Sequence, residues 1–580
     1  MLRIYMDTRR LVLWVIFGLS LMFIYDAWQK SNGQPGFMAP KPAVNAPTAK
    51  PSADPAAAGV PVAGNSNITA TVNKGTAADN KAVAAIPSER IIIKNDVLVL
   101  TLDTAGGNVV ASELTQHLDG QDKTKKMHLL EDVGGRRYTA ESGLAAANAQ
   151  AVPNHTARTV YTVLKRSETS VTLSAETEGV QLIKTYTLQP KRYDIAVKFE
   201  VKNNTAQAFA PELYTQLLRH GEGDTPDSKA SAYNVSGSTF TGAAVYSEEK
   251  KFEKIEYTDV EKGKAKFNKL AKEKEPAWAA MVQHYFVTAW VPQTSKARDL
   301  YVDRIERSKG VEGGNWYTVG IKQSLGLIAA GGTATLEAAL YIGPQDQDAL
   351  EKVATGLDLV VDYGMLTIIA KPMFAALQFF HALVGNWGWA IVLLTVSVKA
   401  ILFWPMAMSY RSMAKMKTVA PKMKELQERH KDDKAKLNQA MMEMYRTEKI
   451  NPLSGCLPIF FTIPVFISLY WVLLASVEIR HAPWIFWITD LSSPDQWYVL
   501  PVLLGITMYL QFKLSPTPPD PMQAKMMMIM QAVFAIMFLF FPAGLNLYYF
   551  VNNLLSIAQQ WVITRGIEQS EAKAAAKLRN

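Results

Sequence analysis

From residue 387 onward the chain carries apolar segments at 387–409, 457–477, 497–512, 526–541 and 544–563. Each is near the length that a hydrocarbon layer of ~30 Å demands of a helix. Five such segments in succession are the mark of a polytopic α-helical membrane domain. Seventeen of the 23 methionines also lie here, from Met365 onward. The last two segments are joined by little more than Phe541-Pro542-Ala543-Gly544, which reads as a tight helical hairpin.

The amino-terminal half is different. Arg3, Arg9 and Arg10 precede an apolar run from Leu11 to Trp28, long enough at ~27 Å to cross. A cleaved signal peptide has a shorter apolar core and small residues at its cleavage site, where this chain has Tyr25, Asp26 and Trp28. Residues 1–30 therefore read as an uncleaved signal anchor with its basic end in the cytoplasm. Residues 31–89, rich in Ala, Pro, Gly, Asn and Thr, bury too little apolar area to offset chain entropy and read as a flexible linker. Residues 90–345 alternate apolar and polar residues between turn signals, as in RIIIKNDVLVLTLD and YDIAVKFEVKNN, which predicts an all-β sandwich. The mean hydropathy of +0.00 is thus the average of two unlike parts.

Little in the β-domain points to catalysis. His117, His128, His155, His220 and His284 show no metal-like spacing, and neither GxSxG nor a Gly-rich phosphate loop occurs. A binding or spacing role fits, with carbohydrate binding as the sharper alternative. A single cysteine, Cys456, excludes an intramolecular disulfide framework. Leu453-Ser454-Gly455-Cys456 imitates a lipoprotein-processing box but lacks an apolar signal segment before it.

Charge sets the orientation. Eleven Lys and Arg lie in the polar loop 410–455, and basic loops stay in the cytoplasm. The loop 478–496 has one Arg, three acidic residues and the aromatic anchors Trp484 and Trp487, so it belongs outside. Six spans then place both termini in the cytoplasm and the β-domain outside. Segment 361–385 is apolar enough to be a further span, but crossing would turn the eleven-cation loop outward. It reads instead as an interfacial amphipathic helix whose apolar run is interrupted by Lys371 and Pro372.

Lys399 is the residue that most suggests chemistry. It lies inside AIVLLTVSVKAILFWPM, where a central lysine costs roughly 2.5–3.5 kcal/mol and has to face water or protein. Thr395 shares its helical face. In the last segment Asn546, Tyr549, Asn553, Ser556 and Gln560 recur at 3-4-3-4 spacing and form one polar stripe. Such a stripe either lines a water-accessible groove or bonds helices together. In the loop, Met413, Met416 and Met423, then Met441 and Met444, recur at helical spacing on either side of Lys431-Asp432-Asp433. They predict a helical hairpin over 410–455, with Pro421 kinking its first arm or starting a new helix. Its Met-rich face either accepts apolar partners or packs one arm on the other.

The segments VDYGML, HALVGNWGWAIVLLTVSVKAILFWP, SYRSMAKMK, NPLSGCLPIFFTIPVFISLYWVL and FPAGLNLYYFVNNLLSIAQQW closely resemble the YidC family of membrane protein insertases, relatives of the mitochondrial Oxa and chloroplast Albino proteins. The amino half resembles the Gram-negative type, with a signal anchor, a linker and a large periplasmic β-supersandwich similar to galactose mutarotases. The resemblance implies an inner-membrane insertase without hydrolytic chemistry or cofactor. It implies a five-span core over 387–568, a basic tail over 569–580, and nascent membrane proteins as partners. The Sec translocon, the ribosome (through the loop and tail) and the lipid bilayer are further implied partners, and DNA is not. The family's groove cation, usually arginine, falls on Lys399, its threonine on Thr395 and its tyrosine on Tyr549. Lysine keeps the charge and loses the planar fork. The rival readings are a transporter binding a small anion, for which no internal repeat is visible, and a sugar-modifying enzyme built on the β-domain.

Overall fold

The computed structural model describes residues 88–120, 122–146, 151–221, 240–263, 268–294, 296–308, 312–430, 433–448, 457–515 and 521–579. The expected signal anchor, nearly all of the linker, Lys431, Asp432 and Cys456 lie outside the described residues.

Period-two alternation becomes a two-sheet sandwich. Arg90–Lys94 buries alternate residues, Ile91 and Ile93, as RIIIK dictates. One sheet has ten described strands, with the path from Arg90–Lys94 through Arg136–Ala145, Glu212–His220 and Trp316–Ser324 to Asn268–Ala271. The other has nine, from Lys251–Ile255 through Phe286–Pro292 and Thr333–Pro344 to Thr162–Arg166. All pairings are antiparallel; in the second sheet Phe199 pairs with Leu336 and Val197 with Ala338, so apolar pairs meet in register. Between the sheets Lys184 is fully buried, and its Nζ donates to the carbonyls of Gly106 (2.9 Å), Gly107 (3.3 Å) and Ser142 (2.8 Å). The lysine thereby ties a turn with positive φ at both glycines to the facing sheet.

Part of the second sheet is buried on both faces. Trp278–Val282 and Phe286–Pro292 are buried almost throughout, which is why they read WAAMV and FVTAWVP without alternation. Their outer residues, including Trp278, Ala280, Val287 and Ala289, join one apolar cluster with Leu377, Ile391, Leu473 and Leu547 of the helical region.

That region begins with α1 (Thr367–Val384), which ends on Gly385 at φ +67°, a conformation that glycine adopts without strain. Among the described residues α1 is the one helix long and apolar enough to cross a membrane by itself. Next come α2 (Trp387–Ile401), capped by Asn386, and α3 (Phe403–Thr418). The run 387–409, expected as a single span, is instead bent by 67° between them. Pro405 explains the break: it has no N–H for the Ile401 carbonyl, and its ring crowds that carbonyl. Pro421 does begin a new helix, α4 (Ala420–Arg429), which pairs with α5 (Lys434–Thr447). The remaining helices are α6 (Leu457–Ala475), α7 (Val499–Leu514), α8 (Pro521–Met537) and α9 (Ala543–Arg579). The tail expected over 569–580 continues α9 without a break as far as Arg579.

The loop between α6 and α7 holds these parts together. The Asp490 carboxylate accepts from the backbone N–H and Nδ1 of His481 (3.1 and 3.0 Å), from both hydroxyls of Ser492 and Ser493 (2.7 and 2.9 Å) and from Lys123 Nζ of the β-domain (3.2 Å). His284 Nε2 donates to the Leu474 carbonyl at 2.8 Å. Arg480 lies 5.6 Å from the ring centre of Tyr285 and 5.5 Å from that of Phe286. Downstream, Asp495 caps α7 through the N–H groups of Trp497 and Leu500. The carbonyls of Ser493 and Leu491 accept the first free N–H groups of α9, those of Ala543 and Gly544.

Burial alone would raise the Asp490 carboxyl pKa, but the hydrogen bonds from His481, Ser492 and Ser493 outweigh it and hold the group well below the usual carboxylate range. A depressed folded-state value stabilises the fold above the unfolded value of ~3.9, and the contribution is lost as pH falls through the folded value. Asp490→Asn is therefore expected to cost about 1–3 kcal/mol at pH 7. In thermal unfolding of the detergent-solubilised chain, the gap between variant and parent should stay constant from pH 8 to 5 and shrink below about pH 4.

Candidate functional site

Lys399 occupies the last turn of α2, not the middle of a straight span, because the chain bends at Leu402. A cation there complements the negative end of the helix dipole. Its Nζ donates to Ser556 Oγ on α9 at 2.6 Å, and Ser556 Oγ in turn donates to the Asn552 carbonyl at 2.7 Å. The serine is thus a relay that turns a backbone carbonyl toward an ammonium. Lys399 remains half-buried, so its other N–H groups have room to meet water or a ligand. Exposed Trp404 follows within two turns, and exposed Trp561 directly follows Gln560, the last residue of the polar stripe, the aromatic pattern of a membrane–water interface.

Three other residues of the α9 stripe bond to neighbouring segments. Asn546 Nδ2 donates to the carbonyls of Phe538 (3.0 Å) and Phe541 (3.3 Å), closing the frayed end of α8. Asn553 Nδ2 reaches Thr507 Oγ1 of α7 at 3.4 Å, and Gln560 Nε2 donates to the Leu514 carbonyl at the end of α7 at 3.1 Å. Asn546 Oδ1 and Gln560 Oε1 are buried and accept no hydrogen bond among the described residues. The Tyr549 ring packs edge-on to Phe466 of α6 (5.4 Å) and tilted against Phe538 (4.9 Å). Thr395 is fully buried, and its hydroxyl turns back to the Ile391 carbonyl of α2 at 2.7 Å. The structure therefore brings Lys399 and Ser556 together. It spends Asn546, Asn553 and Gln560 on helix-to-helix bonds, and places Thr395 and Tyr549 among apolar neighbours.

The methionine hairpin packs arm on arm. Met423 and Met444 are buried against Val419, with Met416, Leu426, Met441 and Tyr445 around them. Lys422 Nζ meets Glu448 Oε1 at 2.6 Å and links the two arms. Met413 lies outside this cluster, half-buried on α3.

Sequence reasoning missed several partners. Thr507, buried on α7, stands out as the polar residue inside an apolar run, but nothing local indicates that it faces Asn553. On α3, Tyr410 and Ser409 are both buried, although the sequence places Tyr410 in the polar loop and Ser409 at the last position of a straight span. In the β-domain, Glu141 comes within 3.4 Å of His155 and 3.3 Å of Arg137, and accepts from Thr139 Oγ1 and Gln216 Nε2. These pairings join distant segments and saturate the carboxylate. No cluster of three or more His, Cys, Asp or Glu is placed to hold a metal among the described residues.

Comparison with known proteins fits both halves. Residues 90–376 match the family model for the YidC periplasmic domain, and residues 379–571 match that for the 60Kd inner membrane protein. The chain is 48% identical over 584 residues to the membrane protein insertase YidC of Bordetella petrii, covering 98% of this chain and all of that one. It is 46% identical to the membrane protein insertase YidC of Cupriavidus necator, covering 99% of this chain and all of that one. The chain belongs to the YidC family of membrane protein insertases, non-enzymatic proteins of the inner membrane that here combine a large periplasmic β-sandwich with a helical carboxyl-terminal region.

Proposed function

We propose that the protein inserts nascent segments at a groove whose charged point is Lys399 with Ser556 and whose walls include Thr395, Tyr549, Asn546, Asn553 and Gln560. One observation carries this reading: an ammonium lies between α2 and α9 with one serine oxygen as its hydrogen-bond partner. A lysine offers three donors, so two remain for groove water or for a substrate carboxylate. The polar outer tail of a nascent segment is drawn into the groove, partly by this charge. The apolar segment then moves sideways into lipid along α6 and α8, and the driving force is burial of its apolar surface in the bilayer.

The hairpin formed by α3, α4 and α5 captures the segment first. Its closed form buries Met423 and Met444; opening it exposes a deformable apolar surface suited to unlike sequences. The eleven cations of the loop support a cytoplasmic position for it. Six spans, the interfacial placement of 361–385, both termini in the cytoplasm and the domain boundaries at 30, 89, 345 and 568 form one consistent scheme. In it the basic carboxyl tail is a contact for ribosomal RNA, and the core works alone or beside the Sec translocon.

Lys399→Ala is expected to slow insertion of substrates with acidic outer tails by about tenfold, the worth of one charge-assisted hydrogen bond, whereas Lys399→Arg retains most of the rate. Reconstituted vesicles with substrates of matched apolar length measure this, and parental insertion by the alanine variant overturns the role of the charge. Photocrosslinkers at 395, 399 and 549 are expected to capture a ribosome-bound nascent chain. Cysteine tags in 410–455, tested in intact cells, are expected to resist labelling from outside.

A further inference from the structure

Where α1 leaves the β-domain there is a cavity of about 340 Å³, lined by Phe252, Lys254, Leu359, Asp362, Tyr363 and Lys371, within the size range of small-ligand sites. Its lining mixes apolar side chains, Phe252, Leu359 and Val361, with charges of both signs. Lys254 Nζ pairs with Asp362 Oδ2, and Lys371 Nζ pairs with Asp358 Oδ2 at 3.3 Å. All four side chains are partly open to solvent. Pairs of this kind are worth at most about 1 kcal/mol, so they exchange partners at little cost.

An apolar track leads away from the rim. Ile368, Pro372, Ala375, Phe379 and Leu383 recur along one face of α1, all exposed, with Ile368 89% and Phe379 60% exposed. The opposite face, with Ala370, Met373, Phe374 and Leu377, is buried against the core. The track runs for roughly 22 Å along α1.

We propose that this cavity holds the headgroup of a zwitterionic phospholipid with a primary ammonium, its phosphate between Lys254 and Lys371, its ammonium on Asp358 and Asp362, and its chains along the α1 track. The inference rests on the reading that α1 lies in the outer interface. Charge complementarity selects the headgroup. A purely anionic lipid satisfies the lysines and repels the two carboxylates. A quaternary ammonium offers those carboxylates no N–H. A primary ammonium completes both pairs at once.

The test uses the full-length protein in nanodiscs containing phospholipids with a photoactivatable group in the acyl chain and a phosphoethanolamine, phosphocholine or phosphoglycerol headgroup. Labelled positions are mapped by mass spectrometry. All three lipids are expected to label 368–383, with the phosphoethanolamine lipid about fivefold above the others, the ratio that matches ~1 kcal/mol. In the Lys254→Gln/Lys371→Gln variant the excess should disappear while the thermal midpoint stays unchanged. Equal labelling by the three lipids overturns the headgroup site and leaves the interfacial reading standing. Strongest labelling by the phosphoglycerol lipid overturns the site in favour of a plain cationic patch. Absence of label on α1 from every lipid overturns the interfacial reading and the site with it.

Discussion

An ammonium group among apolar helices has to be solvated by something other than lipid, and the arrangement of the helical region follows from how that is done. Lys399 is satisfied from α9, through a serine whose own proton goes to a backbone carbonyl one turn earlier. For the serine to be there, α9 has to turn its polar stripe inward. Once inward, the rest of the stripe needs partners in a medium that supplies few. Thr507 and the Leu514 carbonyl on α7 and the carbonyls at the end of α8 provide them. One half-buried ammonium is thus matched by a rotation of α9 that also ties α7 and α8 to it.

The axial position of α9 is set from the other end. Its first free N–H groups are accepted by the carbonyls of Leu491 and Ser493, in a loop whose shape depends on Asp490. Because Asp490 also accepts from Lys123, the β-domain and the start of α9 share one carboxylate. The apolar cluster that joins the outer face of the second sheet to α1, α2, α6 and α9 spreads the same contact over a larger area.

What the residues disclosed by themselves depended on whether the signal was periodic and local. The 3-4-3-4 stripe of α9, the alternation of Arg90–Lys94 and the helix start at Pro421 all follow from spacing or from a single steric rule. The bend at Leu402 had a local cause too, Pro405, but its missing N–H was masked by an apolar run that suggested one straight span. That error moved Lys399 from a helix end to a mid-helix position and hid Tyr410. Two-sided burial of Trp278–Val282 removed the alternation, because the second apolar face serves the helical region and not the sandwich. Pairings such as Lys123 with Asp490, 367 residues apart, leave no trace in a single sequence. The choice between a Met-rich face for partners and one for its own hairpin was equally invisible, since both need the same spacing.

Helix length completes the picture. α2 has 15 residues, α7 has 16 and α8 has 17, so they rise only about 22–26 Å against a hydrocarbon layer of ~30 Å. In the proposed topology the deficit is met by thinning of the bilayer or by snorkelling at the ends, at fractions of a kcal/mol per Å. Thinning and the polar stripe then act in the same direction. The first shortens the apolar path from both surfaces, and the second wets part of what is left. A polar tail crossing beside α9 meets an apolar barrier well below that of an undisturbed membrane. On the proposed reading, Lys399, five residues before Trp404 in the chain, meets such a tail as it leaves the cytoplasmic interface and first needs a counter-charge. On that reading the lysine lowers the entry step, and the short helices lower the remainder.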